Sequence, residues 1–331
     1  MFSDRYSFAQ RDGGDLIPDG ATCVVFNATD SSDLSGLSGD ITVVQGFAPF
    51  VDQLSAAGVR VTQQAQGHAQ GPFDVGIVLL PKSKKQARDL IYQATQVVPE
   101  GTVFVDGQKT DGIDSILKDL KKHVDLSAPV SKAHGKLAWF STPAQVSDYA
   151  DTGMLLPQGF ATSAGVFSAD GIDPASQLLA EMLPPLRGVV ADLGAGWGYL
   201  THALCNSPAI TQVFAVEADF ASQQLIAKNV PDDRVVSVWA DATGWRSPKP
   251  VDVVVMNPPF HIAGRADPAV GQAFIRNAAA NLSPQGQLFM VANRHLPYES
   301  VLEASFQSVQ ELTGTPQFKV YHAARPKRTK R

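Results

Sequence analysis

The chain has 331 residues, with 27 basic and 32 acidic side chains, so its formal net charge is −5. Hydrophobic residues make up 44% and charged residues 18%, a globular composition that excludes a disordered or collagenous chain, and the length predicts about two domains. The 2 cysteines exclude a disulfide scaffold and are too few for a cysteine-rich metal site, so we expect no bound metal.

The beginning of the chain and its apolar runs bear on where the protein acts. The first residues, Met-Phe-Ser-Asp-Arg-Tyr-Ser-Phe, contain no apolar signal segment. No window of about 18 apolar residues is present that could span a membrane. We therefore expect a cytoplasmic protein with no membrane partner, and we expect it to be a monomer.

The first half of the chain alternates short apolar strands with helices. Strands are predicted at 22–26, 41–44, 59–63 and 73–80, with a helix over 47–57. Strands that alternate with helices in this way indicate a mostly parallel sheet with helices on both faces.

The second half repeats this alternation in a clearer form. Strands are predicted at 189–193, 212–216, 235–238, 251–256 and 287–292, with helices over 199–206, 221–229 and 269–281. The run from Phe73 to Leu80 has the same pattern as the run from Val251 to Met256, and a Pro-x-Gly turn follows each of them at Pro99 and Pro284. These similarities between the two halves favour an internal duplication, although doubly wound domains share such a pattern in general.

We therefore predict two tandem α/β domains, over 1–150 and 151–325, followed by a basic tail over 326–331. The first copy lacks the polar features of the second and is predicted to be degenerate, without a cofactor site. Three differences indicate this: Asn27 to Ser32 stand in place of a glycine-rich turn, Gln45 stands opposite Glu217, and Leu80-Pro81-Lys82-Ser83 stand opposite Asn257-Pro258-Pro259-Phe260.

A glycine-rich turn follows the first strand of the second copy. Asp192 lies near the end of that strand, and Gly194, Gly196 and Gly198 follow it. Glycines let the backbone approach a ligand closely, and the helix that begins at Tyr199 offers free N–H groups to an anionic group. The spacing is Gly-x-Gly-x-Gly, which differs from the Gly-x-Gly-x-x-Gly of dinucleotide-binding proteins.

Two acidic residues end the next two strands. A carboxylate at Glu217 can accept hydrogen bonds from both hydroxyls of a ribose, or it can cap a helix. Asp241 can accept a hydrogen bond from an adenine amino group, or it can close the turn before Thr243. Together with the glycine turn, these acids predict a nucleoside pocket at the carboxyl edge of the sheet.

The sequence Asn257-Pro258-Pro259-Phe260 follows the fourth strand and is the most specific signal in the chain. Two prolines stiffen a turn and cannot donate hydrogen bonds. The amide oxygen of Asn257 and the carbonyl of Pro258 can then accept from the two hydrogens of an NH₂ group. Phe260 offers a flat face on which a planar base or amide can stack.

The glycine turn and the Asn-Pro-Pro-Phe sequence together resemble the class I S-adenosylmethionine-dependent methyltransferases that act on planar nitrogen. More narrowly, the chain is similar to the bacterial ribosomal RNA guanine-N2 methyltransferases of the RsmC/RlmG type. Four segments carry this resemblance: Asn257 to His261, Val291 to Tyr298, Phe318 to Ala323, and a lead-in from Phe167 to Leu179 that includes Asp173 and Ser176. The similarity covers 160–325 well, and it extends weakly to the rest because that family also has a degenerate first copy.

The resemblance implies Rossmann-like class I methyltransferase domains and the cofactor S-adenosyl-L-methionine. It implies methyl transfer to the exocyclic N2 amine of a guanine in ribosomal RNA, and the chain length favours 16S rRNA in the small subunit over 23S rRNA. The catalytic residues are then Asn257, Pro258 and Phe260. The cofactor-binding residues are Asp192, Gly194, Gly196, Gly198, Glu217, Asp241 and Asn257. The RNA-binding residues are Phe260, His261, Arg265 and Arg294.

Other functions stay open on the sequence alone. The amine could instead belong to a 23S rRNA guanine, an adenine N6 or a protein glutamine amide, although enzymes for the last two usually carry Tyr in place of Phe260. A noncatalytic RNA-binding or assembly protein on the same fold is a different class, and a nicotinamide oxidoreductase is a distant third. The segment 319–331 contains 6 basic residues and no acid; it can contact phosphate groups, or it can be a solvated terminus.

Overall fold

The computed structural model describes residues 2–13, 16–65, 71–259, 261–262, 265–266, 268–312 and 314–327, with the backbone alone at 12–13, 261–262 and 265–266. The chain divides into two compact units, Met1–Gly153 and Met154–Arg331. Within the described ranges, no helix is both long and apolar enough to cross a membrane.

The first unit contains one seven-stranded sheet. Its strands are β1 (Thr22–Phe26), β2 (Asp40–Val44), β3 (Arg60–Thr62), β4 (Val75–Leu79), β5 (Thr102–Gln108), β6 (Val130–Lys132) and β7 (Gly135–Ser141). Their order is β3-β2-β1-β4-β5-β7-β6, parallel from β3 to β5 and antiparallel for β7 and β6. The helices of this unit are α1 (Phe2–Gly13), α2 (Ala48–Ala56), α3 (Lys84–Val97) and α4 (Ile113–Leu120), with 3-10 turns at Ser31–Leu34, Lys109–Asp111 and Ser147–Tyr149.

The second unit contains a sheet of the same size and two short pairs of strands. Its strands are β8 (Met154–Leu155), β9 (Ala161–Thr162), β10 (Gly188–Leu193), β11 (Ile210–Glu217), β12 (Val235–Trp239), β13 (Val251–Met256), β14 (His261–Ile262), β15 (Arg265–Ala266), β16 (Leu282–Asn293), β17 (Phe306–Leu312) and β18 (Phe318–Pro326). The main sheet has the order β12-β11-β10-β13-β16-β18-β17, while β8 pairs with β9 and β14 with β15. The helices are α5 (Pro174–Met182), α6 (Tyr199–Cys205), α7 (Phe220–Asn229), α8 (Pro268–Asn281) and α9 (Glu299–Ser305).

The two main sheets have the same strand order, which confirms the predicted pair of mostly parallel α/β domains. The pairing makes the correspondence exact to the residue, because Phe26 pairs with Val44 and Val78 just as Leu193 pairs with Val216 and Met256. This register places Leu79 at the position of Asn257. The sequence-based alignment of Leu80 with Asn257 is therefore wrong by one residue.

The same capping contact begins the first strand of each sheet. The Asp74 carboxylate accepts a hydrogen bond from the Thr22 N–H at 2.8 Å, and the Asp252 carboxylate accepts one from the Val189 N–H at 2.9 Å. Each aspartate lies immediately before or within the fourth strand, so it ties that strand to the first one. Two units that repeat the strand order, the register and this contact are consistent with the predicted duplication.

Central strands in both units are buried on both faces. In β1, Val24 and Phe26 belong to one apolar cluster while Cys23 and Val25 belong to another on the opposite face. Burying a valine side chain contributes roughly 1.5–3 kcal/mol, so unbroken β-branched runs are stable only where helices cover both faces. The strand ends are the part of each sheet that remains available for a ligand.

Candidate functional site

The turn after β10 depends on glycine for its conformation. Gly194, Gly196 and Gly198 have φ angles of +77°, +56° and +100°, in the left-handed region that side chains disfavour. A Cβ atom on Gly194 would lie 3.3 Å from the Phe274 ring, and one on Gly198 would lie 3.2 Å from a methyl of Val230. At Gly196, by contrast, a Cβ would meet no atom of the described residues within 4 Å. The middle of the turn therefore faces open space at the sheet edge.

Glu217 ties this turn to the end of β11. Its carboxylate accepts hydrogen bonds from the N–H of Gly196 and the N–H of Asp219, both at 2.7 Å. Burial raises the pKa of Glu217 to about 7 although these hydrogen bonds oppose the shift. The predicted ribose-binding acid thus lies directly against the predicted cofactor turn.

Asp192 lies beneath the turn rather than on its surface. Its side chain is fully buried, and one carboxylate oxygen accepts a hydrogen bond from the Thr201 hydroxyl at 2.7 Å. The other oxygen, Oδ1, is buried without a hydrogen-bond partner among the described residues. Burial raises the pKa of Asp192 to about 7. A buried carboxylate oxygen without a donor is costly, so it marks a place where a ligand donor would be favourable.

Asp241 closes a turn after β12. Its two carboxylate oxygens accept hydrogen bonds from the N–H and the hydroxyl of Thr243, both at 2.7 Å. Its carbonyl accepts from the N–H groups of Gly244 and Trp245 at 3.1 and 2.9 Å. This is the turn-closing role that the sequence left open as an alternative. Each oxygen retains a second lone pair, so contact with a base stays a prediction.

Asn257 follows β13 and has a fixed amide group. Its Nδ2 donates to the Asp173 carboxylate and to the Ser176 hydroxyl oxygen, both at 2.9 Å. Asp173 is the N-cap of α5, where it also accepts the N–H of Ser176 at 2.8 Å. Pro258 is buried and Pro259 is exposed. The amide nitrogen is therefore occupied, and the amide oxygen is left as the acceptor.

Hydrogen bonds connect the glycine turn to the segment that precedes β10. The Trp197 indole donates to the carbonyl of Phe167 at 2.9 Å. The side chain of Asn229 donates to the carbonyls of Trp197 and Ala161 at 2.8 and 2.9 Å, and its oxygen accepts the N–H of Ala161 at 2.7 Å. The sequence analysis did not single out Asn229, because no local motif marks a residue that joins two distant segments.

Arg294 has partners within its own chain. Its guanidinium donates to the carbonyl of Thr315 at 3.0 Å, the carboxylate of Glu311 at 2.9 Å and the carbonyl of Phe318 at 3.2 Å. It borders a groove of about 470 Å³ lined by Asn293, Arg294, His295, Pro316, Gln317 and Phe318. Asn293 ends β16, the neighbour of the strand that leads to Asn257, so this groove lies on the same edge of the sheet.

Several predicted site residues lie outside what the structure describes. Phe260 is among them, as are the side chains of His261 and Arg265 and the tail residues 328–331. Around the described part of the site, β10, β11, β12 and β13 end at one edge. They bring the glycine turn, Glu217, Asp241 and Asn257 to that edge, as the sequence predicts. Among the described residues, no cluster of three or more metal-ligating side chains occurs.

Two family models match the chain. The model described as "Methyltransferase small domain" matches residues 158–322, and the model described as "Methyltransferase small domain N-terminal" matches residues 24–150. These ranges fall in the second and the first compact unit, respectively.

Curated proteins named ribosomal RNA small subunit methyltransferase C are similar over most of the chain. The protein of Pectobacterium atrosepticum is 32% identical over 274 residues, which cover 77% of this chain and 76% of that protein. The protein of Serratia proteamaculans is 32% identical over 263 residues, which cover 76% and 74%. That of Salmonella typhimurium is 30% identical over 289 residues, which cover 82% of each.

A solved structure is similar to this chain over nearly its whole length. It is the T. thermophilus 16S rRNA N2 G1207 methyltransferase (RsmC) in complex with AdoMet and guanosine. The match has a TM-score of 0.79 at 26% sequence identity and covers 97% of this chain and 92% of that one. On the identity and coverage of these relatives, the chain belongs to the ribosomal RNA small subunit methyltransferase C family.

Proposed function

We propose that this protein transfers a methyl group from S-adenosyl-L-methionine to the exocyclic N2 amine of a guanine in 16S rRNA of the small ribosomal subunit. The observation that carries the proposal is the amide of Asn257. Its nitrogen is bound to Asp173 and Ser176, which leaves its oxygen as a hydrogen-bond acceptor at the sheet edge that also holds the glycine turn. The names of the relatives and the AdoMet and guanosine of the T. thermophilus protein support this choice of cofactor and substrate.

The residues around the turn fit the proposed cofactor. Gly196 borders open space and can approach a ligand without a side chain in the way. The carboxylate of Asp192, buried beneath the turn, would favour a cationic amino group such as that of the methionine moiety above it. Glu217 would hold the ribose, Asp241 would lie near the adenine, and Gly194 and Gly198 would shape the turn. When bound, the cofactor supplies an electrophilic methyl group.

The chemistry assigned to this chain is orientation of a weak nucleophile. The lone pair of a guanine amine is delocalised into the ring, so the amine attacks poorly unless it is held and becomes pyramidal. The oxygen of Asn257 and the carbonyl of Pro258 would accept its two hydrogens and favour that geometry, while Phe260 would stack on the base. Such positioning and preorganised acceptors can supply most of the rate enhancement. A strong general base is not required, because the nitrogen becomes acidic as it is methylated.

The RNA would approach along the same sheet edge. Extrusion of the guanine from its stack costs roughly a few kcal/mol, so flanking contacts are needed. Arg294 uses three donor contacts within the chain, and a guanidinium carries more N–H groups than that, so it can still reach a phosphate. Phe318 lines its groove and is partly buried, and a flanking base could stack on its ring in this proposal. His261, Arg265 and the basic tail are further phosphate contacts in this proposal.

The two units would divide the work. The second unit, over 151–325, would catalyse, and the first, over 1–150, would contribute to recognition of the RNA without binding the cofactor. The protein would act as a monomer, and its cytoplasmic location stays a prediction. Analytical ultracentrifugation would measure the oligomeric state, and a stable dimer would contradict this part of the proposal.

Methyl transfer to ribosomal subunits tests the function. Labelled S-adenosyl-L-methionine is incubated with small or large subunits that lack the modification, and the RNA is digested and its nucleosides identified by mass. Label in N2-methylguanosine from the small subunit alone is the expected result. Label from the large subunit would retain the chemistry and change the substrate. No label in either RNA, together with measurable cofactor binding, would contradict the proposal and favour a protein or DNA amine.

A further inference from the structure

The amide of Asn257 is held from a different part of the chain. Asp173 and Ser176 lie 84 and 81 positions away in the sequence, at the first turn of α5. An amide NH₂ group has two hydrogens, and the two acceptors at 2.9 Å account for both. The carboxylate of Asp173 is itself fixed, because it caps the helix through the N–H of Ser176. This contact is part of the fold and does not need a ligand to form.

We infer that Asp173 and Ser176 are positioning residues that determine which end of the Asn257 amide faces the substrate. The inference rests on the function proposed above. A rotated amide would point its oxygen at the Asp173 carboxylate, so two acceptors would face one another. The Ser176 hydroxyl can donate as well as accept, so the carboxylate is the partner that opposes the rotation. The same rotation would present an NH₂ group to the substrate amine, where two donors would meet. Both contacts are unfavourable, so the observed orientation is the one that the fold selects.

This arrangement also bears on which group of a base is accepted. Guanine offers donor hydrogens at its N2 amine and acceptors at O6 and N7. An amide fixed with its oxygen outward accepts from the amine and repels the carbonyl edge. Asp173 and Ser176 would thereby select an exocyclic amine over a carbonyl without touching the substrate.

A donor swap between the partners distinguishes positioning from a merely structural role. The Asn257→Asp change removes the amide hydrogens and places a second carboxylate beside Asp173, so we expect kcat to fall about a hundredfold. Asp173→Asn can supply the missing N–H from the other side. Because one Asp173 oxygen, Oδ2, accepts both the Ser176 N–H and the Asn257 amide, an NH₂ group turned toward position 257 gives up the helix cap, and the unfolding temperature should fall. In the double variant we expect about a tenfold recovery of kcat relative to Asn257→Asp alone, with the Kd for S-adenosyl-L-methionine unchanged.

Ser176 gives a second, smaller test. Ser176→Ala should lower kcat about tenfold, because one of the two bonds to the amide is lost, while Ser176→Thr retains the hydroxyl and most of the activity. Ser83→Ala is the matched control, since Ser83 caps α3 in the first unit by accepting the N–H of Gln86 at 3.3 Å. The control should lower the unfolding temperature and leave kcat unchanged.

The outcomes separate this inference from the proposed function. If Asn257→Ala retains full turnover, the proposed function itself fails. If Asn257→Ala is inactive but the donor swap gives no recovery and Ser176→Ala is fully active, only the positioning role is overturned. Weaker cofactor binding in the Ser176 and Asp173 variants at unchanged kcat would also overturn it, because these residues would then serve the cofactor.

Discussion

The two sheets share a strand order and a register, yet their carboxyl edges are built differently. Gly194 and its counterpart Asn27 both adopt left-handed conformations, at φ +77° and +65°, and both donate their N–H to the second strand at 2.9 Å. The backbone frame of the turn therefore persists in both units. What differs is the side chain, because Asn27 donates from Nδ2 to the carbonyl of Leu79 at 2.9 Å and bridges the ends of β1 and β4.

The acid at the end of the second strand shows the same contrast. Glu217 and its counterpart Gln45 each accept the N–H two residues further on, from Asp219 at 2.7 Å and from Phe47 at 2.9 Å. Glu217 uses its other oxygen to accept from Gly196, but Gln45 uses its NH₂ to donate to the carbonyl of Ala28 at 2.8 Å. Gln45 is buried. The amide thus satisfies the first unit's turn internally, whereas each oxygen of the Glu217 carboxylate accepts one N–H and keeps a second lone pair.

Three exchanges therefore suffice to explain why the first unit would not bind the cofactor. The Asn27 side chain bridges the turn to β4, the Gln45 side chain bonds the turn from β2, and Leu79 has no side-chain acceptor at the position of Asn257. A fourth difference lies beneath the turn. In the strand register, Val25 of β1 occupies the position that Asp192 has in β10. The fold needs none of the polar residues of the second unit. This contrast can be tested by substitutions that introduce the residue of one unit at the equivalent position of the other.

The largest expected effect follows from removing the Asn257 side chain. Asn257→Ala should lower kcat by about a hundredfold to a thousandfold, because a preorganised acceptor for the substrate amine is lost. The Kd for S-adenosyl-L-methionine, measured by calorimetry, should change by less than about twofold, since the amide is proposed to act on the amine. Leu79→Ala, at the equivalent position of the first unit, is the control and should retain full activity. Equal losses of turnover and cofactor affinity in Asn257→Ala would contradict the assigned role.

Introducing the first unit's residue into the glycine turn should have the next largest effect. Gly194→Asn is compatible with the backbone, because asparagine tolerates left-handed conformations. Its Cβ, however, would press on Phe274, and its amide could donate to the carbonyl of Asn257, as Asn27 does to Leu79. We expect the Kd for the cofactor to rise roughly tenfold to a hundredfold, as overpacking and a blocked site would produce.

A reciprocal change provides the control for that prediction. Asn27→Gly in the first unit should leave cofactor affinity and activity unchanged. The hydrogen bond that it removes joins the ends of β1 and β4, in the unit that is not proposed to bind the cofactor. The prediction is contradicted if Gly194→Asn remains folded by circular dichroism and binds the cofactor as tightly as the unchanged protein. A side chain at this turn would then not prevent cofactor binding.

Glu217→Gln should have a smaller effect on the same affinity. The variant amide can adopt the Gln45 arrangement and keep the N–H of Asp219 bonded, so the fold should persist. One acceptor for the ribose hydroxyls is lost, and we expect the Kd to rise about tenfold. Competition with a 2′-deoxy or 3′-deoxy cofactor analogue would check the cause, because the analogue should lose much less affinity in the variant than in the unchanged protein. An equal loss for the analogue would assign Glu217 a purely structural role.

The sequence was sufficient for features that depend on local patterns. The β-branched runs predict β10 and β13, and the glycines and strand-end acids predict the edge at which the site lies. Contacts between distant segments could not be predicted. The link from Asn257 to Asp173 spans 84 positions, and the partners of Arg294 come from the β17–β18 hairpin, 17 to 24 positions away. The antiparallel pairing of β17 with β18 depends in the same way on contacts that no local period reveals.

The smallest expected effect is a change in how stability depends on pH. The pKa of Glu217 is raised by burial to about 7, while that of an unfolded glutamate is about 4.3. Between these values the folded protein holds a proton that the unfolded chain releases, so the free energy of unfolding falls as pH rises and stops falling above about pH 7. Glu217→Gln cannot ionise and should lack this contribution. Relative to the unchanged protein, the variant should gain about 1 kcal/mol between pH 6 and pH 7, measured by urea unfolding at each pH. Asp192 adds a slope of the same sign in both proteins, so only the difference between them reports on Glu217. A constant difference across this range would show that the Glu217 carboxylate is already ionised at pH 6.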